Sequence, residues 1–202
     1  MGRIVVMNHV TLDGVMQGPG RPEEDTRGGF PHGGWGQRSG EANEVQQAMG
    51  SRISAGGGLA GWLFGRRTYE DLLGYWNSPE ARSAQFGPML NDSPKYVAST
   101  TLQEPLAWPN STLLQGDIAV AVGDLKAQSD GVLGIMGSGE LIGSLMAAGL
   151  IDEYLLMIHP LVLGTGRRLF PEGVHQVLRL TGSVTAPTGV VIATYEPGGP
   201  RS

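Results

Sequence analysis

Short apolar stretches alternate with longer amphipathic ones along most of the chain, and glycine or proline separates many of them. Apolar, β-branched runs bounded by turn residues predict strands. The predicted strands are "RIVVMNHVTLDG", "GWLF", "PKYVAST", "STLLQ", "GVLGIMG" and "DEYLLMIHPLVLG", followed by a hairpin of residues 175–186 and 188–196 around Pro187-Thr188-Gly189.

Four stretches carry apolar residues three and four positions apart, which predicts amphipathic helices. They cover residues 41–54 (Val45, Met49 and Ile53 on one face), 66–76 (Tyr69, Leu72, Leu73 and Trp76 inward), 118–128 (Ile118, Val122 and Leu125 on one side, with Asp117 as N-cap) and 139–149.

Strands that alternate with helices predict an α/β fold with a mixed, mainly parallel sheet flanked by helices. The two consecutive strands at the C-terminus add an antiparallel hairpin to that sheet. We expect a single domain over residues 1–196, followed by a flexible tail over residues 197–202.

Composition and charge exclude several classes of function. The chain has 202 residues, no cysteine and a net charge of −5. Thiolate chemistry and cysteine-ligated metals are therefore excluded, and the lack of a basic block argues against nucleic-acid binding. Since no signal peptide or membrane-spanning stretch stands out, we expect a soluble, cytoplasmic protein without a membrane partner.

Residues 17–40 form a long stretch rich in glycine and proline, without periodicity. Loops of this length in compact domains are usually functional or disordered. The stretch contains Phe30 and Trp35, and two large aromatic side chains favour a loop that docks on the protein.

Three predicted strands end in residues suited to anions. Gly65-Arg66-Arg67-Thr68 follows "GWLF" at a helix start, Ser99-Thr100-Thr101 follows "YVA", and Gly137-Ser138-Gly139 follows "GIM" at another helix start. Backbone N–H groups at a helix N-terminus bind phosphate. Each turn alone is also consistent with a plain structural role, as a solvated helix start or a tight elbow.

The glycines do not follow the dinucleotide fingerprint G-x-G-x-x-G. Gly137 and Gly139 occupy the first two positions, but Ile142 stands at the third and Gly143 comes one residue late. The turn also lies late in the chain, which argues against a standard N-terminal Rossmann domain.

The order "GRRTYE", "ST", "GSGEL", each after a strand, resembles that of the dihydrofolate reductase fold. More closely, the chain is similar to the dihydrofolate reductase-like family that includes the reductase domain of bifunctional riboflavin-biosynthesis deaminase-reductases. "VTLDGVM" resembles that family's Ser/Thr-x-Asp-Gly motif. "GSGELIGSLMAAGLIDEYLLMIHPLVLGTGRRLF" resembles its late run, and the similarity covers nearly the whole chain.

The resemblance implies an NADPH-dependent reductase. It assigns the pyrophosphate and the adenosine 2′-phosphate to Gly65, Arg66, Arg67, Thr68, Ser99, Thr100, Gly137, Ser138, Gly139, Glu140 and Leu141. Arginines and hydroxyls suit a 2′-phosphate, whereas NAD is typically met by an acid on its ribose.

By the same resemblance, the nicotinamide and substrate lie beside the first strand and the following loop, near His9, Thr11, Asp13 and Met16. Asp13 is the candidate catalytic residue, or else a turn residue that binds local backbone. His9 either lines the pocket or sits on a sheet face. Phe30 and Trp35 either cover a flat substrate or form a structural lid.

The four histidines show no metal-ligand spacing, so we expect no metal. The substrate stays open as a pterin-like, pyrimidine-like or other conjugated small molecule, because "EEDTRGGFPHGGWG" does not match the riboflavin enzyme. Two other hypotheses are a non-catalytic nucleotide-binding or interaction protein and a reductase with a flavin-type cofactor. The family and an open sheet edge lead us to expect a homodimer.

Overall fold

A computed structural model describes residues 1–39, 42–82 and 86–199. Eight strands form one mixed sheet in the order β4-β3-β2-β5-β1-β6-β8-β7. The strands are β1 (Arg3–Thr11), β2 (Leu59–Gly65), β3 (Lys95–Ala98), β4 (Ser111–Leu114), β5 (Val132–Ile135), β6 (Glu153–His159), β7 (Leu178–Thr185) and β8 (Val191–Pro197).

The helices are α1 (Ala42–Ala55), α2 (Arg66–Trp76), α3 (Pro79–Arg82), α4 (Gly87–Asp92), α5 (Ile118–Gln128) and α6 (Gly139–Ala147). Short 3-10 helices at Arg27–Gly29 and Trp35–Ser39 lie in the long loop after β1. The dihydrofolate reductase-like, mainly parallel α/β sheet predicted from the strand–helix alternation is confirmed.

Contacts between Cα atoms divide the chain into two compact units. The first comprises Met1–Val5 and Ile53–Leu150, and the second comprises Val6–Arg52 and the chain from Ile151 onward. The expectation of one domain over residues 1–196 stays a prediction. Of the predicted tail, residues 197–199 are described, and residues 200–202 lie outside the described residues. Residue 41, the first of the predicted helix 41–54, also lies outside them.

The first unit holds the parallel part of the sheet, where β2 pairs with β3 and β5, and β3 pairs with β4. Its core includes fully buried side chains of β2 and β5, among them Trp62, Phe64, Leu133 and Ile135. Asp117 caps α5 as predicted, because its carboxylate accepts hydrogen bonds from the N–H groups of Ala119 and Val120.

The second unit holds the antiparallel part. β8 pairs antiparallel with both β6 and β7, so the predicted C-terminal hairpin is confirmed. Inside this unit Glu153, only 1 % exposed, forms a two-point ion pair with Arg52 of α1. Val45, Met49 and Ile53 form the buried face of α1, as the periodicity predicted.

The predicted C-terminal end of one strand was wrong, and two short helices were missed. The apolar run 152–164 does not continue as a strand beyond His159. Pro160 follows, and proline has no N–H to extend a ladder. Helices α3 and α4 were not predicted, since both are short and lie in a stretch without clear periodicity.

Candidate functional site

The three predicted anion-binding turns lie at one edge of the parallel sheet in the first unit. Gly65 at the end of β2 pairs with Ala98 at the end of β3, and Leu63 pairs with Ile135 at the end of β5. Because the strands are parallel and in register, the turns after β2, β3 and β5 follow at the same edge. Ligands of open α/β sheets bind at this carboxyl edge.

Hydrogen bonds join the turn after β2 directly to the turn after β5. The Ser138 hydroxyl accepts a hydrogen bond from the N–H of Gly65 over 2.7 Å. The N–H of Ser138 donates in turn to the Thr68 hydroxyl over 3.0 Å. Each hydroxyl accepts from backbone and keeps its own proton, which it can donate to an anion.

The backbone explains why glycine stands at position 137. Gly137 and Ser138 both adopt left-handed conformations, with φ of 65° and 62°. A Cβ on Gly137 would lie only 3.0 Å from Cγ2 of Thr68. The turn is therefore an elbow that glycine makes possible, and it also brings the N-terminus of α6 to the hydroxyls.

The charged side chains of these turns lie at the surface. Arg66 pairs with Glu70 over 2.9 Å, and Arg67 reaches Glu140 over 3.5 Å. Exposed ion pairs of this kind contribute only about 0–1 kcal/mol. A phosphate can therefore compete with these carboxylates for both guanidinium groups.

The remaining predicted cofactor residues differ in what their side chains do. Ser99 accepts hydrogen bonds from the N–H groups of Thr101 and Leu102, which closes its own turn. Thr100 is exposed, whereas Leu141 is buried in the core beneath α6. Leu141 can meet a ligand only through its backbone.

The donor groups at this edge bear on whether a nicotinamide adenine dinucleotide phosphate fits there. Both α2 and α6 begin at the shared edge, and in neither of these described helices does the N-cap side chain accept a hydrogen bond from a first-turn amide. Two guanidinium groups and the Ser138 and Thr68 hydroxyls lie beside these helix ends. The chemistry fits a pyrophosphate with an additional phosphate.

In the second unit, Asp13 ties the loop after β1 to the loop after β6. Its carboxylate accepts from the Thr11 hydroxyl over 2.5 Å, and from the N–H groups of Leu163 and Gly164 over 3.2 and 2.8 Å. The Thr11 hydrogen bond, assisted by these backbone donors, lowers the pKa of Asp13. Asp13 is therefore ionised at neutral pH and holds two loops together.

Gln17 holds three segments and was not singled out in the sequence. Its amide nitrogen donates to the carbonyl oxygens of Asp25 and Arg27, and its amide oxygen accepts from the N–H of Arg167. Its own carbonyl accepts from the Trp35 indole over 2.7 Å. A lone glutamine in a loop gives no sequence signal, because only its four partners reveal its role.

Trp35 and Phe30 are buried, with exposed fractions of 3 % and 6 %. Phe30 packs with Val15, and a Cβ on Gly166 would lie 2.7 Å from its ring. The expectation of a docked loop is confirmed by this burial. Phe30 serves the packing between loops, whereas Trp35 also lines a cavity.

Beneath Trp35 lies a pair of histidines. Nδ1 of His9 and Nε2 of His159 are 2.8 Å apart, so one ring donates and the other accepts. The Trp35 ring meets His159 edge-on, with centroids 5.0 Å apart. Burial, together with the neighbouring His159 in the case of His9, lowers the pKa of both rings, so the pair is neutral at pH 7.

The other predicted substrate residues lie close by along the same loop. Thr11 is buried, and its hydroxyl accepts from the N–H of Val15 while donating to Asp13. Met16 is half-buried, with its sulfur 3.8 Å from the Asn8 amide nitrogen. Neither side chain lines the cavity described next.

The cavity has a volume of about 250 Å³ and lies within the second unit. Its described lining consists of Pro31, His32, Gly33, Trp35, Pro160, Leu161 and Leu163. Of these residues, only Trp35 was predicted from the sequence to contact a substrate. The other residues come from two loops that are distant in the chain, and only folding brings these loops together.

Among the described residues, no cluster of three or more His, Asp or Glu side chains is placed to hold a metal ion. The expectation of no metal stays a prediction. Within the same residues, no helix is both long and apolar enough to cross a bilayer.

Structures of known proteins share this fold. A putative riboflavin biosynthesis protein from Shewanella sp. PV-4 is 22 % identical, with a TM-score of 0.72, and the match covers 98 % of this chain and 100 % of that one. A pyrimidine reductase-like protein from Corynebacterium diphtheriae is 12 % identical, with a TM-score of 0.59 and coverages of 98 % and 92 %.

Dihydrofolate reductase from Enterococcus faecalis, complexed with NADP(H) and RAB-propyl, is 14 % identical, with a TM-score of 0.55 and coverages of 98 % and 97 %. The fold is therefore that of the dihydrofolate reductase-like class.

Sequence comparison specifies the family within this class. Residues 3–192 match the model of the RibD C-terminal domain, and the chain belongs to this family. The uncharacterized protein YyaP of Bacillus subtilis is 29 % identical over 137 residues, which cover 66 % of this chain and 71 % of that protein. Family and fold together support a reductase-type function.

Proposed function

We propose that this protein is an NADPH-dependent reductase that transfers a hydride to a conjugated small molecule. The observation that carries the proposal is the Ser138–Thr68 link, which holds two uncapped helix N-termini together beside Arg66 and Arg67. This arrangement supports binding of a phosphorylated dinucleotide. Membership of the RibD C-terminal domain family, and a neighbour that was crystallised with NADP(H), support the same cofactor.

Each turn has a distinct part in the proposed binding. The first-turn amides of α6, from Gly139 to Leu141, meet the pyrophosphate, assisted by the Ser138 and Thr68 hydroxyls. Arg66, Arg67 and the turn of Ser99 and Thr100 meet the 2′-phosphate. When bound, the cofactor supplies the hydride, and the protein supplies position and electrostatics.

Asp13 has a positioning role in this proposal. Its carboxylate already accepts three hydrogen bonds and has a lowered pKa, so it is a poor proton donor at neutral pH. It fixes the loop after β1, which carries Met16 and Gln17, against the loop after β6. The proton that the reduction needs then comes from water or from another group next to the bound substrate.

The test is a titration of the purified protein with NADPH and NADH, followed by tryptophan fluorescence. We expect NADPH to bind at least about tenfold more tightly, equivalent to about 1.4 kcal/mol. The Arg66→Ala, Arg67→Ala double variant should lose most of this preference. The matched control is Arg167→Ala, Arg168→Ala, which removes the same charge from an exposed pair in the second unit.

The outcome of this titration separates the three hypotheses. If neither nucleotide binds, the proposal fails, and a yellow purified protein would then favour a flavin-type cofactor. NADPH binding without oxidation across a broad panel of acceptors would favour a non-catalytic nucleotide-binding protein.

We further propose that the protein is a homodimer that pairs through β7. This strand stands at the end of the sheet order, and its residues from Arg179 to Thr185 are all exposed. They include Leu180 and Val184, which are 52 % and 63 % exposed. An exposed apolar edge strand is a template for pairing with a second copy.

A further inference from the structure

The cavity between residues 31–35 and 160–163 is preformed, because hydrogen bonds to other parts of the unit fix both of its walls. The Trp35 indole donates to the Gln17 carbonyl, and the Gln17 side chain is itself bound to residues 25–27 and to Arg167. On the other wall, the carbonyl of Leu161 accepts from the N–H of Leu12, and the N–H of Leu163 donates to Asp13. Walls held in this way do not need a ligand to take their shape, which lowers the cost of binding.

The side chains of the lining are apolar apart from one ring, and the backbone adds polar surface. Two prolines, two leucines and Trp35 supply most of the lining, and His32 is its polar side chain. Among the described lining residues there is no Asp, Glu, Lys or Arg. An ionised group that left water for this lining would find no oppositely charged side chain there, so the lining favours an uncharged ligand.

The rings that lie behind Trp35 are uncharged. His159, which is fully buried, and His9 form a neutral pair under Trp35. The carboxylate of Asp13 and the backbone N–H groups of Leu163 and Gly164 satisfy one another. Asp13 is thus ionised, and its carboxylate oxygens are already engaged by donors of the protein.

The volume limits the size of the ligand. About 250 Å³ lies just below the range of pockets for drug-sized ligands, which starts at roughly 300 Å³. The cavity therefore suits roughly one or two fused rings.

We infer that this cavity binds an uncharged, flat ring compound of one or two fused rings, and that such a ring is the part of the substrate that the second unit recognises. That the ring is a substrate rests on the proposed function; the binding site does not. A phosphorylated or carboxylated ring has no cationic partner in the described lining.

Three probes with the same ring test the inference by calorimetry: 2-naphthol, 2-naphthoate and 2-naphthyl phosphate. We expect 2-naphthol to bind at least about tenfold more tightly than either anion. Equal or tighter binding of an anion would overturn the inference.

Two adjacent substitutions locate the binding site. Leu161→Trp fills the cavity and should abolish binding of 2-naphthol. Val162→Trp adds the same side chain at the next residue, which is 67 % exposed and not part of the lining, and should leave binding unchanged. Equal effects of both variants would refute the cavity as the site.

His32→Glu offers a second variant at an exposed position, in case Leu161→Trp does not fold. A carboxylate in the lining should weaken binding of 2-naphthol severalfold and that of both anions further still. Unchanged binding of all three probes would contradict the assignment.

Turnover is tested with 1,4-naphthoquinone, against 1,4-naphthoquinone-2-sulfonate as the charged counterpart. A hydride from NADPH and a proton from water reduce the quinone to the hydroquinone and leave NADP⁺. We expect the uncharged quinone to be reduced faster, above the rate without protein. If 2-naphthol binds but NADPH does not, the proposed reductase function fails, while the cavity remains a ring-binding site. If NADPH binds but 2-naphthol does not, the cavity fails as a ring-binding site, while the proposed function stands.

Discussion

The N–H of Ser138 donates a hydrogen bond to the hydroxyl of Thr68 across 70 positions of sequence, at a distance of 3.0 Å. The bond runs between two turns that were each expected to bind phosphate. Both side chains thus also hold the site together, because the Ser138 hydroxyl in turn accepts from the N–H of Gly65. In these two residues an observed structural role coincides with the proposed binding role.

Thr68→Val keeps the shape of the side chain and removes the acceptor for the Ser138 N–H. We expect the free energy of unfolding to fall by about 1–2 kcal/mol, as for a partly buried donor left without a partner. NADPH affinity should fall as well, because α2 and α6 lose their fixed spacing. Urea unfolding and an NADPH titration measure the two effects.

Thr68→Ser is the matched control, since it retains the hydroxyl. It should keep the NADPH affinity within severalfold of the original. If Thr68→Val binds NADPH as the original protein does, the hydroxyl and its link have no part in the cofactor site.

Asp13→Ala removes the acceptor shared by Thr11, Leu163 and Gly164. We expect a loss of about 1–2 kcal/mol in the free energy of unfolding and faster amide hydrogen exchange at residues 163 and 164. Asp13→Asn keeps an acceptor oxygen, so in this variant the amide hydrogens of residues 163 and 164 should exchange at an intermediate rate. Unchanged protection in Asp13→Ala would show that the carboxylate does not fix the loop.

The neutral pair of His9 and His159 predicts a loss of stability in acid. The folded state lowers both pKa values, so the unfolded chain binds protons first as the pH falls below about 6.5. The free energy of unfolding should therefore decrease below pH 6.5, by up to about 1.4 kcal/mol per pH unit for each histidine. For His159 the decrease continues until the pH reaches its folded pKa of about 4.

Unfolding curves recorded between pH 4 and pH 7 measure this slope. The His9→Gln, His159→Gln double variant should flatten it, because neither glutamine titrates. His32→Gln changes an exposed histidine and should leave the slope as it is. An equal slope in the double variant would assign the acid sensitivity to other groups.

Leu180→Asp and Val184→Asp each place a charge on the exposed strand β7. We expect the mass measured by light scattering to change from a dimer to a monomer, since burying an unpaired carboxylate in the interface is costly. Val120→Asp is the control, because Val120 is 62 % exposed but belongs to helix α5 and not to the strand β7. A monomeric original protein, or a dimer in all three variants, would refute pairing through β7.

Lys95→Met removes a buried ammonium group from the first unit. Lys95 has no exposed surface, and its Nζ donates to the carbonyl oxygens of Leu90, Asn91 and Ser93 at the end of α4. These oxygens would lose their donor, so we expect a loss of about 2–4 kcal/mol in urea unfolding. Lys95→Gln should lose less, since its amide can still donate.

Most of the fold could be predicted from the sequence, because the sheet is built from local patterns. Apolar runs bounded by glycine and proline mark the strands, and the spacing of Val45, Met49 and Ile53 marks one helix face. The short helices α3 and α4 were missed, since tertiary contacts rather than periodicity hold elements of one turn.

The site was less predictable. Motif residues of the anion-binding edge stand directly after strands and are visible in the sequence. His159 and Gln17 have no motif, and their roles depend on partners 150 positions away in the chain. Asp13 was open between two roles, and the three hydrogen bonds to its carboxylate favour the positioning one.

The sequence by itself determined the order of strands and helices, the family and the residues at the carboxyl edge of the parallel strands, because each of these depends on neighbours in the chain. Only the tertiary structure decided that Ser138 and Thr68 bind each other, that Lys95 is buried, and that two loops enclose an uncharged cavity beside Trp35. These features arise from hydrogen bonds and packing between distant segments, which no local pattern encodes.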